Sequence, residues 1–162
     1  MKIISDTGPI IGLAKIGKIS LLKSIADEVL IPPMVHRELF AKVGTEADQI
    51  DWALNDFIRI EKAVTLDTAT ERVLADLGEG EKQVIALASN LEKDIVLLLD
   101  DHAARGVAEK LNIPMIGLIG LLLISKEKGL VQNVVSLIEE LRKKGYWLSE
   151  DVIEVARLLA GE

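Results

Sequence analysis

At 162 residues, 49% of them hydrophobic, the chain is long enough for one domain with a substantial core and too short for two comfortable ones. It contains no Cys, which excludes a disulfide framework and a Cys-based zinc site, and its two His exclude a His-rich metal centre. A net charge of −7 argues against non-specific binding to a polyanion, but it does not speak against a local site whose acidic residues are offset by a bound cation.

Residues 1 to 25 lack the basic start, long apolar stretch and small-residue cleavage site of a signal peptide. The longest apolar run, Ile113 to Ile124, is interrupted by Pro114 and two glycines and falls short of the ~20 residues that a membrane span requires. The expectation is a cytoplasmic protein with no membrane partner. Any metal it binds must be held mostly by oxygen, which favours Mg²⁺ or Mn²⁺ over Zn²⁺.

The chain begins with Lys2-Ile3-Ile4-Ser5, a short apolar run closed by Asp6-Thr7-Gly8-Pro9, which reads as a buried strand and a sharp turn into a helix. Ile10 to Ile16 and Ile19 to Ile25 read as two short helices parted near Gly17. Val29-Leu30-Ile31 is a second strand, and Pro32-Pro33 ends it and starts a helix through about Val43. Glu46 to Leu54 reads as a helix and Phe57 to Ile60 as a third strand. Leu66 to Leu77 is an amphipathic helix with Asp67 or Thr68 as its cap. Gly78-Glu79-Gly80-Glu81 opens a helix that runs to about Glu92. Ile95 to Leu99, five consecutive aliphatics, has the pattern of a strand covered on both faces and runs into Asp100-Asp101.

A helix from Ala103 to Leu111 and a short strand over Pro114 to Gly117 follow. The sequence is helical from Leu118, with breaks at Gly129 and Gly145 and with Ser149 capping a last helix that ends near Ala160. Short apolar strands alternating with helices predict a three-layer α/β sandwich around a parallel sheet. The expectation is a single domain over 1–162, its core at about 1–130, with the helices from about Gln132 acting as a cover or as a partner-binding appendage.

Four carboxylates stand out. Asp6 falls at a strand's carboxyl end, where open parallel sheets form the rim of their crevice, although an Asp there also caps helices. Glu38 points between Met34 and Val35, on the apolar side of its helix; the alternative is a boundary Glu paired with Arg37 or Lys42. Glu81 shares a face with Val84, Ile85 and Ala88, whereas Glu79 projects to the far side, where negative charge at a helix N-terminus is worth roughly 0.3 to 1 kcal/mol. Asp101 is the better placed of the Asp100-Asp101 doublet to reach over the rim, and Arg105 either pairs with it or reaches a substrate phosphate. Carboxylates gathered a few ångströms apart repel one another and remain ionised only around a cation. Mg²⁺ or Mn²⁺ in such a cluster acidifies water and stabilises charge on a scissile phosphate, so metal-assisted phosphodiester hydrolysis is the chemistry that fits. The Thr7 hydroxyl is a candidate for orienting the attacking water.

These residues resemble those of the PIN-domain nucleases, in particular the compact toxin-type branch related to VapC. The matching pieces are Ile3-Ile4-Ser5-Asp6-Thr7-Gly8, Val35-His36-Arg37-Glu38-Leu39, Gly78-Glu79-Gly80-Glu81 with the helix after it, and Leu97-Leu98-Leu99-Asp100-Asp101-His102-Ala103-Ala104-Arg105. The resemblance covers about residues 1 to 130. It implies a five-stranded parallel sheet of order 3-2-1-4-5, Mg²⁺- or Mn²⁺-dependent cleavage of single-stranded RNA, homodimers, and neutralisation by a small antitoxin protein. Carried over by position, Asp6, Glu38, Glu81 and Asp101 form the catalytic and metal-binding quartet. The chain departs from the family in having Glu81 where Asp is more frequent, with Glu79 a substitute, and in offering Asp100 as well as Asp101.

Asp6-Thr7-Gly8 also occurs in aspartic proteases, but those are β-rich and use two copies. A phosphoacceptor receiver domain would want a second acid beside Asp6 and a Lys after the last strand, where this chain has Ile116-Gly117-Leu118. The alternative from another class is a catalytically inactive PIN-fold binding module that acts through a protein partner. The acidic balance and scarce aromatic residues favour that alternative. The inward aim of Glu38 and Glu81 favours the enzyme, because a purely structural core gains from apolar residues there.

Overall fold

The computed structural model describes residues 1–41, 44, 46–91 and 93–162. Five strands, β1 (Lys2–Ser5), β2 (Glu28–Ile31), β3 (Ile58–Ile60), β4 (Ile95–Leu98) and β5 (Met115–Ile116), form one parallel sheet of order β3-β2-β1-β4-β5. In register, Ile4 lies opposite Leu30 of β2 and Leu97 of β4. Ile3 and Ile4, like Leu97 and Leu98, are fully buried neighbours. Successive strand residues face opposite sides of the sheet, so both sides are covered and the architecture is the expected three-layer one.

The helices are α1 (Thr7–Lys15), α2 (Ser20–Ile25), α3 (Pro33–Phe40), α4 (Ala47–Asp56), α5 (Thr68–Leu74), α6 (Glu79–Leu91), α7 (His102–Lys110), α8 (Leu118–Glu127), α9 (Val134–Lys143) and α10 (Glu150–Ala160). The expected helix ends at Val43 and Glu92 lie outside the described residues. Helix α1 starts three residues before the expected Ile10 and takes in Gly8-Pro9. Its first turn has amides with no intrahelical partner, so a proline there breaks no hydrogen bond and does not act as a stop. Asp67 caps α5 by accepting from the Thr70 amide at 2.7 Å, and Ser149 caps α10 by accepting from the Val152 amide at 3.3 Å. Helices α9 and α10 contribute Val134, Ile138, Leu141 and Ile153 to the hydrophobic core. No described helix is long and apolar enough to cross a membrane.

Candidate active site

Asp6 stands one residue past β1, with its amide bonded to the Leu98 carbonyl of β4 at 3.0 Å. The order β3-β2-β1-β4-β5 reverses direction between those two strands, so Asp6 is fixed at the sheet's topological switch point. It occupies the N-cap position of α1, yet its side chain makes no cap hydrogen bond, which removes the capping explanation. Only 8% of Asp6 is exposed, and its carboxyl pKa is raised from 3.8 to about 6. Burial is the main cause; the Thr7 amide opposes it, and the carboxylates of Glu81, Glu38 and Asp101 add to it. Side chains from α3, α6 and the β4–α7 junction thus come within Coulombic reach of Asp6.

Glu38 is half-buried, and its partner is neither Arg37 nor a core residue: Thr7 Oγ1 donates to Glu38 Oε2 at 2.5 Å. The other predicted partner, Lys42, lies outside the described residues. Glu38 fits because α6 has a glycine where it passes; a Cβ on Gly80 would stand 2.8 Å from Glu38 Oε1. One turn of α6 separates two fates for neighbouring acids. Glu81 folds back over Gly78 and faces Asp6, whereas exposed Glu79 accepts from Gln83 Nε2 at 3.5 Å and lines a separate groove of about 530 Å³.

The Asp100-Asp101 doublet divides its tasks. Asp101 caps α7 by accepting from the Ala104 amide at 2.8 Å through Oδ1, and its charge reaches Asp6. Asp100 accepts from the Leu118 amide at 3.0 Å at the start of α8 and from the Tyr146 hydroxyl. Of the two readings for Arg105, the pair with Asp101 is not formed. Arg105 Nη1 donates at 2.8 Å to the carbonyl of Leu99, which lies just past the end of β4.

Compared with known families, residues 2–162 match the one described as DUF3368: PIN domain. The chain belongs to the PIN-domain family. A comparison with curated proteins returned no match. PIN domains are generally nucleases and typically depend on metal.

In this PIN domain the donor chemistry suits a hard divalent cation, since acidic oxygens are supplied by four elements and no thiol is present. Among the described residues, however, no three His, Asp or Glu side chains are grouped so that they could hold an ion as they stand. Like charges repel, and two of the four acids already have a hydrogen-bond partner, Glu38 from Thr7 and Asp101 from Ala104.

Reasoning from sequence did not single out Tyr146. Its hydroxyl reaches Asp100 across the fold, and its pKa is pushed up by burial, by the charge of Asp100 and the hydrogen bond to it, and by the charge of Asp6. The available signal was an aromatic pair, Tyr146-Trp147, directly after the helix-stopping Gly145 in a chain with only 3% aromatic residues.

Proposed function

We propose that this PIN domain is a Mg²⁺- or Mn²⁺-dependent endoribonuclease for single-stranded RNA. In this reading it is a toxin of the VapC type, working as a homodimer and held in check by a small antitoxin protein. One observation carries the proposal: Asp6 is buried at the switch point within Coulombic reach of three other carboxylates, and among the described residues no cationic side chain offsets them. A group so placed costs folding stability and is retained where it serves a function.

Asp6, Glu38, Glu81 and Asp101 would hold the cation. Once bound, such an ion makes water more acidic and offsets charge on the scissile phosphate. The chain's own contribution is arrangement. Thr7 fixes the rotamer of Glu38 by hydrogen bonding, Gly80 leaves it room, and Ala104 holds one oxygen of Asp101 so that the other is free to turn to the rim. Asp6 must give up its proton to bind, and a raised pKa makes that step sensitive to pH near neutrality.

Purified protein is expected to cleave single-stranded RNA with Mn²⁺ or Mg²⁺. Asp6→Asn and Glu38→Gln are each expected to lower the rate on the order of 10²- to 10³-fold, the size associated with losing a group that stabilises transition-state charge. Mn²⁺ at about 100 times its Kd should stabilise the parent by roughly 2.7 kcal/mol, a gain that both variants lose. The spacing of the carboxylates, no three of which are grouped to hold an ion among the described residues, favours a second reading, an inactive binding module. Absence of both RNA cleavage and a Mn²⁺-dependent rise in melting temperature would decide for that module.

A further inference from the structure

Three basic residues, Arg142-Lys143-Lys144, are consecutive at one place only in a sequence of net charge −7, and Gly145-Tyr146-Trp147 follows directly. The fold secures this segment beside the carboxylate rim. Helix α9 closes with the Gly145 amide on the Arg142 carbonyl at 3.0 Å and the Tyr146 amide on the Leu141 carbonyl at 2.9 Å. That closure requires a left-handed residue, supplied by Gly145 at φ +89°. Lys15 Nζ of α1 donates to the Lys144 carbonyl at 3.2 Å. The Tyr146 ring packs on Gly12, where a Cβ would stand 3.0 Å from Cε2, and its hydroxyl is bonded to Asp100.

Trp147 is therefore set in place by its neighbours while being itself 84% exposed. It stands on a groove of about 580 Å³ whose lining includes Asp100, His102, Arg105, Tyr146 and Val152. The chain's other tryptophan, Trp52, differs in having an aromatic partner, packing edge-on against Phe57 at 5.5 Å between centroids. Among the described residues the Trp147 indole, held out into water next to the rim, has no such aromatic partner.

Building on the nuclease reading above, we infer that Trp147 is the stacking platform for a nucleobase of the single-stranded substrate, with Lys143 and Lys144 engaging the adjoining phosphates. The carboxylate rim repels a phosphate backbone, so affinity has to come from the bases and from a local cationic strip. Stacking suits this because every base offers a π-face, and the exposed pair of lysines lies next to the indole in sequence. The rival occupant is a protein laid across Val152 and the exposed Val155 of α10. Arg142 is paired with Glu150 at 2.7 Å, but the exposed Lys143 and Lys144, placed beside the rim by the Tyr146–Asp100 bond, favour nucleic acid.

The test uses the full chain carrying Trp52→Phe, which leaves Trp147 as its sole indole, and an RNA of about 12 nucleotides, within the usual span of a single-strand site. The RNA is end-labelled, either intact or with abasic positions, and is titrated in Ca²⁺ with anisotropy and indole fluorescence as readouts. Binding of intact RNA should quench Trp147, and Trp147→Ala should weaken binding roughly tenfold while Trp147→Phe restores most of it. Abasic RNA should bind the parent as weakly as intact RNA binds Trp147→Ala, a variant that should no longer distinguish the two. Replacing Lys143 and Lys144 by Gln should reduce the slope of log affinity against log salt by about 1.4. Under turnover with Mn²⁺, Trp147→Ala should raise KM with kcat within about twofold.

Equal affinity of parent and Trp147→Ala, or an equal loss for intact and abasic RNA, overturns the platform and leaves the nuclease reading standing. Unchanged RNA affinity together with altered sedimentation of Trp147→Ala assigns the face to a protein and also overturns it. If the parent neither binds nor cleaves RNA, the nuclease reading fails first.

Discussion

Asp6 at the end of β1 and Glu162 beyond α10 are both carboxylates held largely away from water, and their surroundings have opposite character. Glu162 accepts from Lys126 Nζ at 2.7 Å and from the Val134 and Val135 amides at 2.7 and 2.8 Å. Burial works to raise its pKa, but the ammonium and the two amides outweigh it and hold the carboxyl below its ordinary value. Burial also raises the pKa of Asp6, but there three carboxylates add to it and, among the described residues, the Thr7 amide is what opposes it. Glu162 closes the N-terminus of α9 as a cap and counter-ion, which is what a folding protein does with a buried charge. The same chain leaves Asp6 in conflict with its surroundings, and such local conflicts mark functional positions.

Substitutions at the two sites should separate activity from stability. Asp6→Asn is expected to abolish cleavage by about three orders of magnitude, the largest effect, while raising the melting temperature in chelator at pH 7.5, because it removes a charge that the folded state disfavours. Glu162→Gln is expected to do the reverse. Losing a charged cap and ion pair should cost about 2 kcal/mol and lower the melting temperature by several degrees, with cleavage at 20 °C unchanged. Chemical denaturation and a fixed-temperature cleavage assay on both variants check this. A Glu162→Gln chain that keeps its stability would erase the difference between the two regions.

The pH dependence of stability sharpens the comparison through its sign. Between about 6 and 3.8 the folded chain holds more protons at Asp6 than the unfolded chain does, so stability measured in chelator should fall as pH rises through that window. At about 1.36 kcal/mol per unit, the whole change is roughly 2 to 3 kcal/mol. Glu162 titrates in the opposite sense. Its contribution is present above the ordinary value of 4.5 and is lost as pH falls through its depressed folded pKa. Melting curves from pH 7.5 to 3 should lose the first slope in Asp6→Asn and the second in Glu162→Gln.

Smaller effects probe the packing of the rim alone. A methyl group at Gly80 would meet the mobile end of Glu38, so Gly80→Ala should displace that carboxylate, reduce cleavage roughly tenfold and leave stability nearly unchanged. Thr7→Val removes the hydrogen bond to Glu38 and should cost only about three- to tenfold in rate, equivalent to about 1 kcal/mol, with Thr7→Ser retaining most of the activity. Steady-state cleavage of one RNA by these two variants orders the contributions of room and of hydrogen bonding.

Much of this arrangement was legible in the chain because short-range chemistry carries it. Aliphatic runs marked β1, β2 and β4, the cap at Ser149 was evident from its residue type and position while that of α5 was narrowed to Asp67 or Thr68, and the inward aim of Glu38 and Glu81 followed from helical periodicity. Less legible was the start of α1, where Gly8-Pro9 has the appearance of a stop and is tolerated because a first turn has no hydrogen bond to lose. For Arg105 only one of its two readings, the pair with Asp101, was open to a local pattern, and the fold does not form it. Spacing along a helix brings Arg105 near Asp101, but Asp101 is engaged as a cap and the Leu99 carbonyl was the acceptor in reach. Tyr146 was missed because its partner lies 46 residues away, a separation at which no local pattern operates.

By itself the sequence determined the alternation of strands and helices, the oxygen-only donor set and the side of each helix that carries an acid, since these depend on composition and on the fixed periods of strand and helix. Only the tertiary structure decided that the charge of Glu81 reaches Asp6 while Glu79 lines a separate groove, that Asp100 is bound by Tyr146, and that Glu162 is satisfied where Asp6 is left among like charges. The reason is that the electrostatic state of a carboxylate depends on which distant groups the fold brings within a few ångströms of it and how much water it removes, and neither quantity is local in the chain.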